Sequence, residues 1–189
     1  MLKIAILASG SGSNAQALVE YFAQSPWGRV QIIVTNNPHA GVIQRAETLG
    51  IAGTSFDPKT QSDEILSLLE SNADIILLAG YLRMIPANWT RTFQGRMFNI
   101  HPALLPKFGG KGMFGKHVHK AVLDSNETES GISVHYVSNE YDEGKILFQK
   151  STTIEVGETV NSLTAKIKVL EHAYFPTIIE KIIHHEFNA

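Results

Sequence analysis

The chain contains no cysteine. That excludes disulfides, thiolate nucleophiles and thiolate metal sites, and it fits a reducing cytoplasm. Neither sign of charge dominates: sixteen basic and eighteen acidic side chains leave a formal charge of −2. Nothing in that balance argues for a nucleic acid as partner. Long hydrophobic runs are also missing, and no segment approaches the length of a membrane span. The first residues, "MLKIAILASGSGS", resemble a signal peptide only superficially. Their apolar run from Ile4 to Ala8 falls short of the roughly 7–15 residues of a secretory core, so a buried first strand is the better reading. The sequons at Asn88 and Asn126 therefore carry little weight. There are no repeats, low-complexity tracts or linkers. With 189 residues, 43% of them hydrophobic, a single domain over residues 1–189 is expected.

The first half alternates short apolar runs with helical patterns. "KIAILAS", "VQIIVTN", "IAGTSF", "ADIILLAG" and "RMFNI" read as strands, and the fourth, apolar throughout, is expected to be covered on both faces. Between them, Ala17, Leu18, Tyr21 and Phe22 share a helical face, and "GVIQRAETLG" ends on Gly50 in a C′ position. "SDEILSLLES" has Ser62 as candidate N-cap, and "PANWTRTF" reads as a short helix opening at Pro86. "GKHVHKAVLD" also looks helical. "GISVHYV" and "KILFQKSTT" then form two strands joined by "SNEYDEG", an antiparallel pair. A long segment from about Glu158 to His185 comes last, with Leu163, Ile167, Leu170 and Tyr174 on one stripe and Pro176 expected to kink or divide it. The order predicts an α/β fold: a Rossmann-like, open, twisted, mostly parallel sheet with helices on both faces and a C-terminal antiparallel strand pair.

Four stretches can carry chemistry. In "SGSGSNA", Gly10 and Gly12 lie between a strand and a helix, where glycine lets backbone approach a ligand and Ser13 or Asn14 can cap the helix. Exposed N–H groups and the helix dipole there favour a phosphate. Gly10-x-Gly12-x-x-Ala15 also meets the dinucleotide fingerprint, but the second strand ends Thr35-Asn36-Asn37, without the ribose-binding acid. A monophosphate site remains, beside the alternative of a turn needed only for packing. "AGYLRMIP" follows the strongest strand and could wall a pocket for a flat ring, or simply pack. In "FNIHPALLPKF", Asn99 and His101 alternate with Ile100 and project to the same side at a strand's carboxyl end. Pro102 and Pro106 restrain the segment leaving that strand. An amide beside an imidazole suits carbonyl chemistry, since both donate to an oxyanion and the imidazole moves protons. The alternative is a polar pair satisfying a proline turn. Asp142 sits in an acidic turn closed by Gly144, which by composition alone reads as a solvated hairpin.

Other chemistries fit poorly. His117-Val-His119 and His184-His185-Glu186 lack the spacing of a helical zinc pair, so no metal is expected and both belong on a solvated helix face. No Gly-x-Ser-x-Gly follows a strand, which disfavours a serine hydrolase.

Taken together, "ASGSGSN", "LAGYLRMI", "FNIHPALLP", "SVHYV", "YDEG" and "EHAYFP", in that order and spacing, resemble the glycinamide ribonucleotide formyltransferase family of folate-dependent enzymes, from Met1 to about Pro176. The resemblance implies 10-formyltetrahydrofolate as co-substrate, phosphoribosylglycinamide as amine substrate, and no metal. It implies small-molecule partners only, with neither nucleic acid nor membrane, a cytoplasmic location, and a monomer or homodimer. Residues 1–100 become a nucleotide-binding half and 101–189 a folate and catalytic half. Gly12, Ser13 and Asn14 match the phosphate loop, Glu171 a carboxylate on the ribonucleotide, and Lys168, Val169 and Leu170 its neighbours. Leu82, Arg83, Met84 and Ile85 match the pterin pocket, and Ser138, Asn139, Glu140 and Tyr141 the folate loop. Asn99, His101 and Asp142 match the catalytic positions, with Asn99 also against folate, His135 supporting them, and Lys59 a weak match near the folate tail. Two departures stand out: the Gly-rich "KFGGKGMFGKHVH" beside the site, a possible flap, and Glu143 where the family commonly has glycine. Related enzymes acting on sugar-nucleotide amines or initiator tRNA usually carry a further domain, for which 189 residues leave little space. A non-catalytic nucleotide-binding module would use only the glycine loop.

Overall fold

The computed structural model describes residues 1–187. The elements run β1 (Leu2–Leu7), α1 (Ser13–Phe22), β2 (Gly28–Thr35), α2 (Gly41–Thr48), β3 (Ala52–Ser55), α3 (Ser62–Asn72), β4 (Ile75–Leu78), α4 (Ala87–Thr92), β5 (Met97–His101), α5 (Lys116–Asp124), β6 (Glu129–Tyr136), β7 (Ile146–Thr153) and α6 (Val160–Phe187). Seven strands form one sheet in the order β3-β2-β1-β4-β5-β6-β7. β1 to β5 pair in parallel, whereas β6 is antiparallel to β5 and β7 to β6. From the central β1–β4 pair the chain winds outward in both directions. The carboxyl ends of those two strands therefore border the crevice where open α/β sheets bind ligands.

Each face of the sheet has its own core. Ile4, Ile6, Ile33, Ile75, Leu77, Phe98, Ile100, Ile132 and Val134 pack under α1, α2, α5 and α6. Ala5, Leu7, Ile32, Val34, Ile76, Leu78 and Met97 pack under α3 and α4, against Ile65, Leu69, Trp89 and Phe93. Alternate residues of one strand thus serve opposite cores, so β1 from Ile4 onward and all of β4 must be apolar.

Local signals behave with three exceptions. α2 ends as expected: Gly50 takes φ 67°, its N–H reaches the Glu47 carbonyl at 3.0 Å, and Ile51 N–H reaches Ala46 at 2.9 Å, the paired bonds of a Schellman stop. Neither Ser13 nor Asn14 caps α1, because Gly12 at φ 77° holds the N-cap position. Ser62 is likewise the first residue of α3 rather than its cap. Gln61 precedes it with its side chain turned back to the Asp57 N–H at 2.9 Å, closing the loop instead. Pro176 does not divide α6, which continues to Phe187 with Pro176 itself buried. On the expected stripe, Leu163 and Ile167 are buried and Leu170 and Tyr174 pack at its edge. No helix among the described residues is long and apolar enough to cross a membrane.

Candidate active site

The sheet face that buries Leu78 and Met97 changes character at β5 and β6. There the alternation puts Asn99 and His101 on β5 beside Ser133 and His135 on β6, and the antiparallel register sets Asn99 opposite His135 and His101 opposite Ser133. His101, Ser133 and His135 are buried, so each needs a partner. The Ser133 hydroxyl donates to the Ala103 carbonyl at 2.7 Å and accepts from Leu105 N–H at 2.9 Å and Gln149 Nε2 at 2.8 Å. It thereby ties the proline-stiffened segment after His101 to β6. His135 Nδ1 donates to the Tyr136 carbonyl at 2.8 Å, leaving Nε2 facing the Asn99 amide at 3.0 Å.

Asp142 joins this cluster from the β6–β7 turn. A Cβ on Gly144 would fall 1.6 Å from the Tyr136 carbonyl oxygen, so the turn folds this closely onto β6 only with glycine there. Asp142 itself sits at φ 57°, a left-handed conformation that Asp tolerates better than most residues. Its Oδ1 accepts from Asn99 Nδ2 at 3.3 Å and its Oδ2 lies 3.5 Å from His101 Nδ1. Burial works against the Asp142 carboxylate. His101, His135 and the Gly110 N–H outweigh it and hold the carboxyl well below the usual carboxylate range.

The Gly-rich insert closes the ring of contacts. Gly110 N–H donates to Asp142 Oδ2 at 2.9 Å, and His101 Nε2 donates to the Phe108 carbonyl at 2.8 Å. With a carbonyl on one nitrogen and a carboxylate beside the other, the His101 ring is satisfied at both only when both carry hydrogen.

A cavity of about 630 Å³ opens beside this cluster. Gly12, Ser13 and Asn14 line one end, Lys168 and Glu171 of α6 one wall, and Asn99, His101 and Asp142 the other end. A Cβ on Gly12 would meet Val42 Cγ2 at 2.4 Å, so glycine there is fixed by both space and φ. Asn14 Nδ2 donates to Glu171 Oε2 at 3.0 Å across 157 residues of chain. Burial pushes the Glu171 carboxyl up against the opposing pull of Asn14, His101 and Lys168.

A smaller recess of about 50 Å³ adjoins, sharing Tyr81, Asn99, Tyr141 and Asp142 with the large cavity. Arg83, Met84, Ile85, Ser138, Glu140 and His135 line it. Leu82 faces the large cavity instead, its N–H held by Ser9 Oγ at 2.9 Å. Four sequence candidates lie elsewhere. Val169 is 67% exposed on the outer side of α6, and Leu170 packs against the core. Asn139 accepts a bond from the Thr90 hydroxyl, and Lys59 is exposed in the loop before α3, its backbone N–H bonded to Asp57. None of the four borders either cavity.

With this geometry in hand, comparison with known proteins is decisive. The family model described as formyl transferase matches residues 2–179. The chain belongs to the formyl transferase family. It is 38% identical to the chloroplastic phosphoribosylglycinamide formyltransferase of Vigna unguiculata, over 95% of this chain and 60% of that protein. With the phosphoribosylglycinamide formyltransferase of Bacillus subtilis (strain 168) it shares 34% identity, over 97% of this chain and 95% of that one. The chain thus spans about three fifths of the plant relative and nearly all of the bacterial one. The crystal structure of phosphoribosylglycinamide formyltransferase from Bacillus halodurans superimposes with a TM-score of 0.89 at 33% identity, covering 98% of this chain and 97% of that one.

In this member of the family, one histidine expected on a solvated helix face is buried at the cavity instead. His117 is exposed, but His119 is buried on the inward face of α5 with Val118 and Val122, and it lines the large cavity. The signal was available: His119 lies three residues before Val122 and next to Val118, inside the apolar stripe of an amphipathic helix. The backbone groups of Phe108 and Gly110 had no sequence signal, because their role depends on the path of the insert.

Proposed function

We propose that the protein transfers the formyl group of 10-formyltetrahydrofolate to the amine of phosphoribosylglycinamide, giving the N-formyl ribonucleotide. One observation carries this reading: Asn99, His101 and Asp142 converge where the cavity that begins at the glycine loop meets the smaller recess. The names of the relatives support it. In this reading Gly12, Ser13 and Asn14 hold the phosphate at the start of α1, where N–H groups and the dipole favour an anion. Glu171 and Lys168 hold the ribose, and Leu82 to Ile85 with Ser138, Glu140 and Tyr141 enclose the pterin. His135 steadies Asn99 and Asp142. The absence of cysteine suits work in a reducing cytoplasm.

The chemistry needs no enzyme nucleophile. The amine lone pair forms the new N–C bond while the carbonyl π pair moves to oxygen. The oxyanion is a charged acceptor, and it competes with the neutral Phe108 carbonyl for the His101 donor, because charge-assisted hydrogen bonds are roughly twice as strong. Asn99 supplies the second donor by the same kind of exchange, one Nδ2 hydrogen leaving the neutral His135 Nε2 for the charged oxygen. Asp142, held ionised, keeps His101 charged and oriented, and with water passes the amine proton to the departing folate nitrogen as the C–N bond breaks.

The test is a formyl-transfer assay with both substrates. Asp142→Asn is expected to lower kcat about 10²–10³-fold, the effect of losing one transition-state contact, with KM little changed. Normal turnover in the folded variant would remove the carboxylate from the mechanism. A wild-type protein that binds the ribonucleotide but transfers nothing would leave only a binding module, and transfer to a different amine would reassign the substrate.

A further inference from the structure

Asn14 Oδ1, on the large cavity, is sealed without a partner, but its amide nitrogen is bonded to Glu171; the buried His119, on the same cavity, makes no side-chain bond at all among the described residues. It is 4% exposed, yet neither ring nitrogen has a hydrogen-bond partner among the described residues, and its Nδ1 is sealed from solvent altogether. Its Nε2 is not among the sealed, unpartnered atoms, so this nitrogen opens into the cavity that the residue lines. Leaving a buried polar group unmade is expensive, and such groups in native structures are rare.

The sealed nitrogen fixes the tautomer. An orphaned buried N–H is rarer than an orphaned acceptor, so the lone pair belongs on Nδ1 and the hydrogen on Nε2. Burial, and then the charge of His101, hold the His119 imidazole below its usual range, which keeps the ring neutral with one donor. Asn99 and His101 already spend donors inside the protein, on Asp142 and on the Phe108 carbonyl. His119 spends none.

Position selects what the donor meets. His119 borders the large cavity and not the small recess. It is thus away from Arg83, Met84 and Ile85 of the proposed pterin wall, and in the cavity that holds every residue the proposed function gives to the ribonucleotide: Gly12, Ser13, Asn14, Lys168 and Glu171. A ribonucleotide with its phosphate at Gly12–Asn14 and its amine at Asn99 and His101 spans the cavity that His119 lines together with Ile167 and Lys168. The acceptor in its acyl arm is the amide carbonyl oxygen.

We propose that His119 Nε2–H donates a hydrogen bond to the amide carbonyl of the ribonucleotide's glycinamide arm, a binding contact additional to the catalytic three. This rests on the formyl-transfer reading. The donor is present in ground state and transition state alike, so its loss should appear in KM for the ribonucleotide rather than in kcat.

The experiment compares His119→Leu, His119→Gln and His119→Asn in the full chain. Leu fills the space without a donor, Gln places an amide N–H near the position of Nε2, and Asn places one nearer Nδ1. Expected results are an approximately tenfold higher ribonucleotide KM for Leu and Asn, with kcat and folate KM within about twofold and substantial recovery in Gln. Because no hydrogen bond within the protein is lost, the ligand-free Leu variant should melt no lower than wild type, while ribonucleotide protects it less. An unchanged ribonucleotide KM in Leu, beside an active wild type, overturns the inference and leaves the proposed function intact. A fall in kcat alone also overturns it, placing the donor on the transferred group. Should Leu fail to fold, the Gln–Asn contrast decides, and equal KM values in those two sink the proposal. A wild type without transfer activity is a different failure, that of the function itself.

Discussion

The two faces of the sheet are built from the same strands, and they diverge at the same place. Under α1, α2, α5 and α6, the inward residues of β4 and β5 and of the middle of β6 are apolar: Ile75, Leu77, Phe98, Ile100, Ile132 and Val134. Under α3 and α4, Ile76, Leu78 and Met97 are followed by Asn99, His101, Ser133 and His135. A strand's two-residue period lets one segment do both jobs, with packing on one face and polar chemistry on the other. The dry face holds the strands in register, and the register brings Asn99 within 3.0 Å of His135. Polar residues are tolerable there because Asp142, Gly110 and the backbone after His101 supply their partners.

Adjacent residues on opposite faces give the sharpest way to break this division. Phe98→Ala should destabilise the fold by about 3–5 kcal/mol, the transfer and cavity cost of a buried aromatic, while the molecules that remain folded keep normal kcat. Asn99→Ala should lose only about 1 kcal/mol of stability, the net worth of a hydrogen bond, but slow turnover about 10²–10³-fold. Urea unfolding and steady-state kinetics on the two variants decide it. Similar stability losses in both, or similar losses of turnover, would dissolve the distinction between the faces.

A smaller effect is expected where the phosphate end meets α6. The Glu171 carboxyl is pushed up by burial, so its folded-state value lies above its unfolded one. The folded protein then binds the proton more tightly, and stability falls as pH rises from about 4 through the folded-state value. Glu171→Gln should be more stable than wild type at neutral pH, with the gap closing near pH 4. Each kcal/mol of relief would appear as about 2–4 °C in Tm for a chain of this size. Ribonucleotide affinity should fall in the same variant. Thermal melts across pH, with and without ribonucleotide, test this, and a Gln variant less stable than wild type at pH 7 would contradict the sign.

Much of this was legible in the sequence, for identifiable reasons. Continuous apolar runs marked β1 and β4, and the Asn-Ile-His alternation alone placed Asn99 and His101 on one side. Gly50 marked the end of α2. Asp142 was different, because its turn has the composition of any solvated hairpin. What brings it to His101 is the β5–β6 register together with a glycine at 144 that allows contact with the Tyr136 carbonyl. Residue chemistry raised it as a candidate beside the plainer reading of a solvated hairpin, and the family resemblance selected it. His119 was missed because the metal question treated it as a pair with His117, although the helix period separates them. Neither Ser13 nor Ser62 became a cap, since short-range preference yielded to Gly12's left-handed backbone and to the Gln61–Asp57 bond.

The smallest effect falls on a residue that resemblance selected and geometry sets aside. Lys168 and Glu171 are three apart on α6, so they share a face, and both line the cavity. Val169 is turned about 100° from Lys168 and stands 67% exposed on the other side. Val169→Ser should therefore leave stability within about 0.5 kcal/mol of wild type, as for surface positions generally, and ribonucleotide KM within about twofold. Steady-state kinetics suffice as the check. A fivefold rise in KM would mean that α6 meets its substrate through a face pointing away from the cavity, and the assignment of Lys168 and Glu171 to the ribose would then fail with it.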